Sequence, residues 1–275
     1  MNQSPALANA IINDAFCDLH LIRQHGPIVH NLTNLVVMQT TANVLLALGA
    51  SPIMAHAKEE LADIIAIANS FVINMGTLDE TWVQASEIGQ REALRQGIPI
   101  IFDPVGVGAS QYRTRIAKKI LNDGVQILRG NPSEILALLR DDIKTKGVDS
   151  YYQSNEAIDA AKILADTYQC IVVISGETDV IIGRNSEAFV PYGSSLFTHV
   201  TGMGCAATAV IGAFAAMNND CFHAATHAMT IFTLAGQIAA TQSHGPASFY
   251  TRLIDTLFSL KMTEAHAIVM GNSNA

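Results

Sequence analysis

The sequence contains little charge and few aromatic residues. Charged residues make up 15% of its 275 positions and aromatic residues 6%, whereas hydrophobic residues make up 49%. Sixteen Lys and Arg residues are scattered among 24 Asp and Glu residues, and the formal net charge is −8. A nucleic-acid surface needs clustered basic residues, and a disordered chain has few apolar residues. Both classes are excluded, and the composition predicts a folded chain with a large apolar core.

Cysteine is also scarce, and none of the four cysteines forms a CxxC pair. They stand at Cys17, Cys170, Cys205 and Cys221. This spacing excludes a ribbon-type zinc site, and a chain of this length needs no disulfide framework. The first 16 residues lack the basic start of a signal peptide. We therefore expect reduced thiols in a cytoplasmic protein.

Two long stretches contain no Asp, Glu, Lys or Arg. They cover residues 200–219 and 221–251, and each is long enough to span a bilayer. Both are rich in Ala, Gly and Thr and are interrupted by Asn, His and Gln, and they lack flanking basic residues and aromatic belts. We predict buried helices here and no membrane span.

Short apolar runs alternate with amphipathic segments along most of the chain, which is typical of a parallel sheet covered by helices. The predicted strands are residues 52–54, 71–74, 98–102, 125–128 and 170–174, a hairpin of 180–182 with 188–190, and a strand-like segment at 197–200. The predicted helices are residues 4–26, 35–48, 58–69, 77–95 (opened by a capping box of Thr77 and Glu80), 111–122, a helix from Asn131, 154–168, and helices throughout after Gly202.

This pattern predicts an α/β fold with helices on both faces of a largely parallel central sheet. We find no composition break or linker, so we expect a single domain over residues 1–275. Residues 141–153 are predicted to form a surface loop.

Candidate functional residues follow the predicted strands. Asp103, Arg129, Ser175 and the turn at Gly202 each come directly after a strand or strand-like segment. In open α/β sheets, ligands bind beyond the carboxyl ends of the strands. Ordinary turn chemistry could explain any one of these loops, whereas four at equivalent positions point to a ligand site.

The turn formed by Gly202, Met203, Gly204 and Cys205 opens an Ala-rich helix. The free N–H groups and the dipole of a helix start bind anions, and glycine allows close approach of a ligand. The helix dipole contributes about 0.3–1 kcal/mol, so we expect it to lower the pKa of Cys205 by less than about one unit from ~8.5. Such a thiol is a modest base, which favours a reaction that depends on positioning, such as phosphoryl transfer.

Asp103 and Glu134 supply hard oxygen ligands of the kind that Mg²⁺ prefers. Each could equally be a carboxylate of a loop or of a first helical turn with no metal.

Other readings of these residues are possible. The sequence from Gly202 to Ala207 fits a GxGxxA dinucleotide fingerprint, but no following strand is predicted to complete that motif. Cys205 with His199 or His244 could form a thiol hydrolase. His223 and His227 have zinc-ligand spacing without a general-base Glu, and core histidines are the favoured reading. No P-loop motif occurs, so a kinase here belongs to another class.

Several motifs together make the chain resemble the hydroxyethylthiazole kinase family of the ribokinase-like superfamily. They are the segment 29–34, the segment 47–54, Asp103-Pro104-Val105-Gly106, Arg129-Gly130-Asn131, Ser175-Gly176-Glu177 and the segment 200–205. The resemblance covers residues 26–248. A cysteine directly after the Gly-x-Gly turn points to this family in particular, because most ribokinase-like enzymes carry Asp at that position.

The resemblance implies a ribokinase-like three-layer sandwich and ATP-dependent phosphorylation of the primary alcohol of a thiazole. It implies that Cys205 is the catalytic base, that the amides of Gly202, Met203 and Gly204 form an anion hole, and that the thiazole contacts are Met54, Gly202 and Asn34. Arg129 and Ser175 would contact ATP, and Asp103 and Glu134 would serve Mg²⁺. A homotrimer with pockets near subunit interfaces is implied as well.

The chain departs from the family pattern at Met203, where Thr or Ala is usual and a bulky side chain could narrow the pocket. Alternative functions are a ribokinase-like kinase for a hydroxymethylpyrimidine and a non-catalytic nucleotide-binding regulator.

Overall fold

A computed structural model describes residues 5–139 and 150–272. Its strands are β1 (Ile28–Leu32), β2 (Ser51–Ile53), β3 (Ser70–Asn74), β4 (Ile100–Asp103), β5 (Ile127–Gly130), β6 (Ile171–Ile174), β7 (Asp179–Ile182) and β8 (Glu187–Val190). Its helices are α1 (Pro5–His25), α2 (Met38–Leu48), α3 (Leu61–Ile67), α4 (Glu80–Gln96), α5 (Gln111–Asp123), α6 (Pro132–Leu139), α7 (Ser150–Tyr168), α8 (Met203–Ala215), α9 (Cys221–Thr241), α10 (Pro246–Ser259) and α11 (Met262–Asn272).

The described strands form one sheet in the order β2-β1-β3-β4-β5-β6-β7-β8. Strands β1 to β6 pair in parallel, and β7 and β8 continue the sheet as an antiparallel hairpin. The predicted largely parallel sheet and its terminal hairpin are therefore confirmed. The parallel strands bring their carboxyl ends, with the loops that follow, to one edge of the sheet.

Each face of the sheet packs against its own layer of helices because alternate residues of a strand point to opposite faces. Val72 of β3 packs with α1, α2, α8, α9 and α10 on one face. Phe71 and Ile73, its neighbours in the strand, pack with α3, α4, α5, α6 and α7 on the other. These two cores produce the predicted three-layer sandwich.

The charge-free stretches form α8, α9 and the start of α10, as the prediction of buried helices requires. Most of α8 and α9 is buried, and the two helices pack against each other. In the described ranges, no helix combines the length and apolarity that crossing a bilayer demands.

Several local predictions are wrong. Strand β1 was not among the predicted strands, because His30 and Asn31 break its apolar run. Residues 197–200 are not strand-like: Ser195–His199 is a 3₁₀ helix whose N-cap Ser194 accepts from the Leu196 amide. Helix α2 begins three residues later than predicted, after a turn.

The predicted capping box of Thr77 and Glu80 is also wrong. Asp79 is the N-cap of α4, and its carboxylate accepts from the amide of Trp82. Thr77 instead accepts from the amide of Leu35 across the sheet edge. The predicted loop at 141–153 lies mainly outside the described residues, and its last four positions belong to the first turn of α7.

Candidate active site

Polar side chains from three neighbouring strands lie close together at the edge of the sheet. Asn74 ends β3 and pairs in register with Asp103, which ends β4. Arg129 lies near the end of β5, the next strand. All three side chains are buried, so the charges lie where water screens them little.

The carboxylate of Asp103 is the centre of this group. Its Oδ2 accepts from Nδ2 of Asn74 at 3.1 Å and from Oγ1 of Thr208 at 2.7 Å, and Nη1 of Arg129 lies 3.9 Å away. Its Oδ1 is buried and has no hydrogen-bond partner. Burial and the charge of Glu134 raise the pKa of Asp103 to about 6, although Arg129 and the two hydrogen bonds oppose that shift. Asp103 is therefore an acceptor with one unused oxygen.

Cys205 lies beside this carboxylate in the first turn of α8. Its Sγ is 3.5 Å from Nδ2 of Asn34, which also donates to Oδ1 of Asn74 at 2.8 Å. Burial and the charge of Asp103 raise the pKa of Cys205 to about 11. The expectation that the helix dipole lowers this pKa is wrong, because removal of the thiol from water outweighs the dipole.

The turn before α8 has the geometry of an anion site. Gly202 is its N-cap with φ +87°, a left-handed conformation, and no side chain caps the helix. The first N–H groups of a helix have no partner within the helix, so the amides of Met203, Gly204 and Cys205 are free to bind an anion. A Cβ at Gly204 would lie 2.7 Å from Nη1 of Arg129, so glycine permits the guanidinium to approach this turn.

Arg129 is held by Ser175, the residue after β6. Nε and Nη2 of Arg129 both donate to Oγ of Ser175, at 2.9 and 2.5 Å. The fold thus places Arg129 and Ser175, which were both predicted to bind ATP, within hydrogen-bond distance of each other. The next turn is closed by Asp179, whose Oδ1 accepts from the Gly176 amide at 2.9 Å. Burial raises the pKa of Asp179 to about 6.

Glu134 holds two loops through its carboxylate. Oε1 accepts from the amide of Gly106 at 3.0 Å, and Oε2 accepts from the amide of Asn131 at 2.9 Å. The described residues contain no group of three or more His, Cys, Asp or Glu side chains arranged to hold a metal ion. Mg²⁺ in kinases takes one or two carboxylates and completes its shell with phosphate and water, so the free Oδ1 of Asp103 fits such a role.

A cavity of about 840 Å³ extends from this point over the end of the sheet. Its lining includes the polar side chains of Arg129, Ser175 and Glu177 and the aromatic side chains of Phe197 and Phe232. Other residues lining it include Gly204, Asp179, Met203, Met229 and Thr233. A cavity that combines polar and aromatic side chains beside an anion site suits a nucleotide.

Met203 contributes its side chain to this cavity and to the helical core. The departure from the family pattern therefore lies on the cavity side of the turn.

Met54 is the one predicted site residue that the described structure does not join to the others. It follows β2 at the sheet edge, and its carbonyl oxygen contacts the ring of His56. In residues 5–139 and 150–272, no hydrogen bond or ion pair links Met54 to Gly202 or Cys205. None links Cys205 to His199 or His244 either, which leaves the thiol-hydrolase reading without support.

Sequence reasoning missed Asn74, Thr208 and Asp179 as site residues. Asn74 is the final residue of a strand, the same signal that singled out Asp103. Thr208 follows Cys205 by three residues and so lies on the same face of α8. His223 and His227 stack on each other, and Nδ1 of His227 contacts Asp18, which agrees with the core reading of these histidines.

The fold is similar to that of ribokinase-like proteins. A ribokinase-like superfamily protein from Enterococcus faecalis V583 superposes with a TM-score of 0.63 at 13% identity, over 86% of this chain and 87% of its own. That likeness concerns the fold alone.

Residues 19–263 match the model of the hydroxyethylthiazole kinase family. The hydroxyethylthiazole kinase of Leptospira biflexa is 45% identical over 92% of this chain and 96% of its own. The structure of a hydroxyethylthiazole kinase protein from Pyrococcus horikoshii OT3 superposes with a TM-score of 0.85 at 38% identity, over 92% of this chain and 95% of its own. The chain belongs to the hydroxyethylthiazole kinase family.

Proposed function

We propose that this protein transfers the γ-phosphoryl group of ATP to the primary alcohol of 4-methyl-5-(2-hydroxyethyl)thiazole, a step of thiamin salvage. The observation that carries the proposal is the turn at Gly202. It presents free amides between a nucleotide-sized cavity and the thiol of Cys205. A phosphoryl group at this turn would lie between donor and acceptor, which is what in-line transfer requires.

ATP occupies the cavity in this proposal. Its phosphates lie toward Arg129 and Ser175, and its base lies toward Phe197 and Phe232. The guanidinium is fixed by its two contacts with Ser175. A donor group that is already oriented stabilises developing charge without reorganising during the reaction.

The thiazole alcohol occupies the other side of the turn. Asn34, Gly202 and Met54 contact the alcohol substrate there, and Asn34 supports this assignment through its position 3.5 Å from Sγ of Cys205. The amide of Asn34 is tied to Asn74, which is tied in turn to Asp103. This chain of hydrogen bonds connects the alcohol side to the buried carboxylate.

Cys205 receives the hydroxyl proton on Sγ, at an energetic cost. With a pKa of about 11, ionising the thiol at pH 7 costs on the order of 5 kcal/mol. Phosphoryl transfer tolerates this cost because its loose transition state needs little proton removal from the attacking alcohol. Positioning and charge stabilisation by Arg129 and the helix amides then supply most of the rate enhancement.

Asp103 and Glu134 are the residues that would serve Mg²⁺. The ion would neutralise charge on the phosphates when bound. The free Oδ1 of Asp103 supports this assignment, whereas Glu134 has both oxygens on backbone amides.

The same proposal includes a single domain, a cytoplasmic location and a homotrimer. Two large apolar side chains, Leu35 and Val36, are 70% and 67% exposed directly after Asn34. Their exposure beside the alcohol side supports a subunit contact there. Sedimentation equilibrium would test the trimer.

The deciding experiment measures ADP release from ATP and Mg²⁺ with three acceptors: the hydroxyethylthiazole, a hydroxymethylpyrimidine and none. Release with the thiazole alone is the expected result. Release with the pyrimidine alone would keep the kinase class and replace the substrate. No release from a protein that binds ATP would favour the non-catalytic regulator.

A variant at Cys205 tests the role of the base. Cys205→Asp is expected to keep at least roughly a tenth of wild-type turnover, because a carboxylate is already ionised near pH 7 and can accept the hydroxyl proton in place of the thiol. Cys205→Ala is the matched control without an acceptor and is expected to lose more. Complete loss of turnover in a folded Cys205→Asp protein would contradict the weak-base mechanism.

A further inference from the structure

His56 contacts two backbone carbonyl groups through its two ring nitrogens. Nδ1 lies 2.8 Å from the carbonyl oxygen of Met54, and Nε2 lies 2.7 Å from that of Thr33. A carbonyl oxygen only accepts hydrogen bonds, and a neutral imidazole carries a single N–H. Only the protonated ring, which donates from both nitrogens, makes both contacts favourable.

The two carbonyl groups belong to the segments that carry the alcohol side of the site. Thr33 directly precedes Asn34, whose amide contacts Cys205. Met54 is the proposed thiazole contact that follows β2. Strands β1 and β2 pair in parallel, so both segments leave the sheet at the same edge. His56 joins the two segments through its two ring nitrogens.

We propose that His56 is a positioning residue for the alcohol substrate: its protonated ring ties the Met54 segment to the Thr33–Asn34 turn. The inference rests on the proposed function and deepens it, because it makes binding of the alcohol substrate depend on the second ring proton of His56. Loss of that proton places a nitrogen lone pair against a carbonyl oxygen, which repels one of the two segments.

A second histidine, His30, lies next to His56 and differs from it in having a hydrogen-bond partner for only one ring nitrogen. His30 of β1 is fully buried, stacks on Phe71 and contacts the Ala55 carbonyl oxygen with Nε2 at 3.0 Å. Its Nδ1 has no partner. Burial and the charge of His56 lower the pKa of His30 to about 4, so His30 stays neutral and needs only one N–H.

The charged side chains that follow His56 in the chain, Lys58, Glu59 and Glu60, are exposed. Lys58, two residues further along, donates to Oε1 of Gln84 at 3.2 Å. The two carbonyl oxygens of Met54 and Thr33 are therefore the groups that the His56 ring contacts directly.

Steady-state kinetics across the range in which an imidazole titrates, about pH 6 to about pH 9, would test this role. The KM of the wild type for the thiazole alcohol is expected to rise roughly tenfold with pH, the effect of one charge-assisted hydrogen bond. The KM for ATP is expected to change less than about twofold, because Arg129 and Ser175 bind ATP without His56.

The variant His56→Gln is expected to have a raised, pH-independent KM for the alcohol. Its amide keeps a donor but cannot reach two carbonyl groups on opposite sides. His25→Gln, at an exposed histidine at the end of α1, is the matched control and is expected to keep the wild-type profile. Equal profiles for wild type and His56→Gln would overturn the proposal.

Nitrogen NMR of the histidine rings supplies a test that does not depend on turnover. At about pH 6, His56 is expected to show two protonated ring nitrogens, and His30 is expected to show one. A neutral His56 ring at that pH would overturn the proposal even if the thiazole is phosphorylated. If the thiazole is not phosphorylated, the proposed function fails and the NMR result still decides the protonation of His56.

Discussion

Two buried carboxylates of this protein, Asp18 in α1 and Asp103 at the end of β4, have opposite surroundings. Asp18 accepts from Nδ1 of His227 at 2.7 Å and from Nδ2 of Asn218 at 2.8 Å. Burial raises the pKa of Asp18, but these partners outweigh burial, and the pKa lies below its ordinary value. The pKa of Asp103 lies above its ordinary value, and one of its oxygens has no partner.

The difference separates a carboxylate that stabilises the fold from one that serves a ligand. The ionised form of Asp18 holds α1 against α9 and is favoured by folding. The ionised form of Asp103 is disfavoured by folding, and a cation or a donor from the ligand would relieve that cost. Perturbed carboxylates of the second kind cluster at functional sites.

The sharpest test replaces each carboxylate with its amide and compares turnover. Asp103→Asn is expected to lower kcat about 10³-fold, the usual cost of removing an oriented charge from a transition state. Asp18→Asn, the matched control, is expected to stay within about twofold of wild type. Similar losses in both variants, measured as ADP release, would contradict the separation of roles.

The next largest expected effect is on the free energy of unfolding, and here Asp18→Asn is the more damaging of the two variants. Asp18→Asn is expected to lower the free energy of unfolding by about 2–3 kcal/mol, because it leaves His227 and Asn218 without a charged acceptor. Asp103→Asn is expected to leave stability unchanged or to raise it, since it removes a buried charge. Urea unfolding at a fixed protein concentration measures both.

The pH dependence of stability should differ in sign between the two sites. Because the folded pKa of Asp18 is lowered, its contribution is present above the ordinary value of 3.8 and is lost as pH falls through the folded pKa. Because the folded pKa of Asp103 is raised to about 6, stability is lost as pH rises from about 4 to about 6.

The loss at Asp103 is expected to be on the order of 3 kcal/mol. Asp103→Asn should remove its part of that loss, while the similarly raised pKa of Asp179 leaves a part in place. Unfolding curves of wild type and Asp103→Asn at several pH values measure the difference. An identical pH dependence in both proteins would show that folding does not raise the pKa of Asp103.

The smallest expected effect comes from single hydrogen-bond donors. Thr208→Val removes the hydroxyl that donates to Asp103 and is expected to lower kcat roughly tenfold, with less than about 1 kcal/mol lost in stability. Asn218→Ala removes a donor to Asp18 and is expected to cost about 1 kcal/mol of stability with no change in kcat. Reversed outcomes would show that the two networks exchange roles.

The sequence predicted the layered fold because local patterns carry that information. Buried parallel strands are continuous apolar runs, and the helices between them are amphipathic or Ala-rich. Strand β1 was not predicted because the buried polar residues His30 and Asn31 interrupt its apolar run. Tertiary packing accommodates His30, which stacks on Phe71, and Asn31 donates to the carbonyl oxygen of Val29 in the same strand. The segment at residues 197–200 looked extended, yet capping by Ser194 turned it into a 3₁₀ helix.

The candidate site was predictable where a residue ends a strand or starts a helix. Asp103, Arg129, Ser175 and the turn at Gly202 were found by that criterion. Asn74 meets the same criterion and became recognisable only when the register of β3 and β4 placed it beside Asp103. Thr208 lies in a helix interior, where no local signal marks a hydroxyl that reaches a strand 105 residues away.

The sequence by itself determined the α/β class, the free amides at the start of α8 and the identity of the residues at the strand ends. These follow from periodicity, glycine placement and helix geometry, which act over a few residues. Tertiary structure alone decided the protonation of Cys205, the unused oxygen of Asp103 and the double contact of His56. Each depends on burial and on neighbours distant in the chain, because desolvation and hydrogen-bond partners are set by packing.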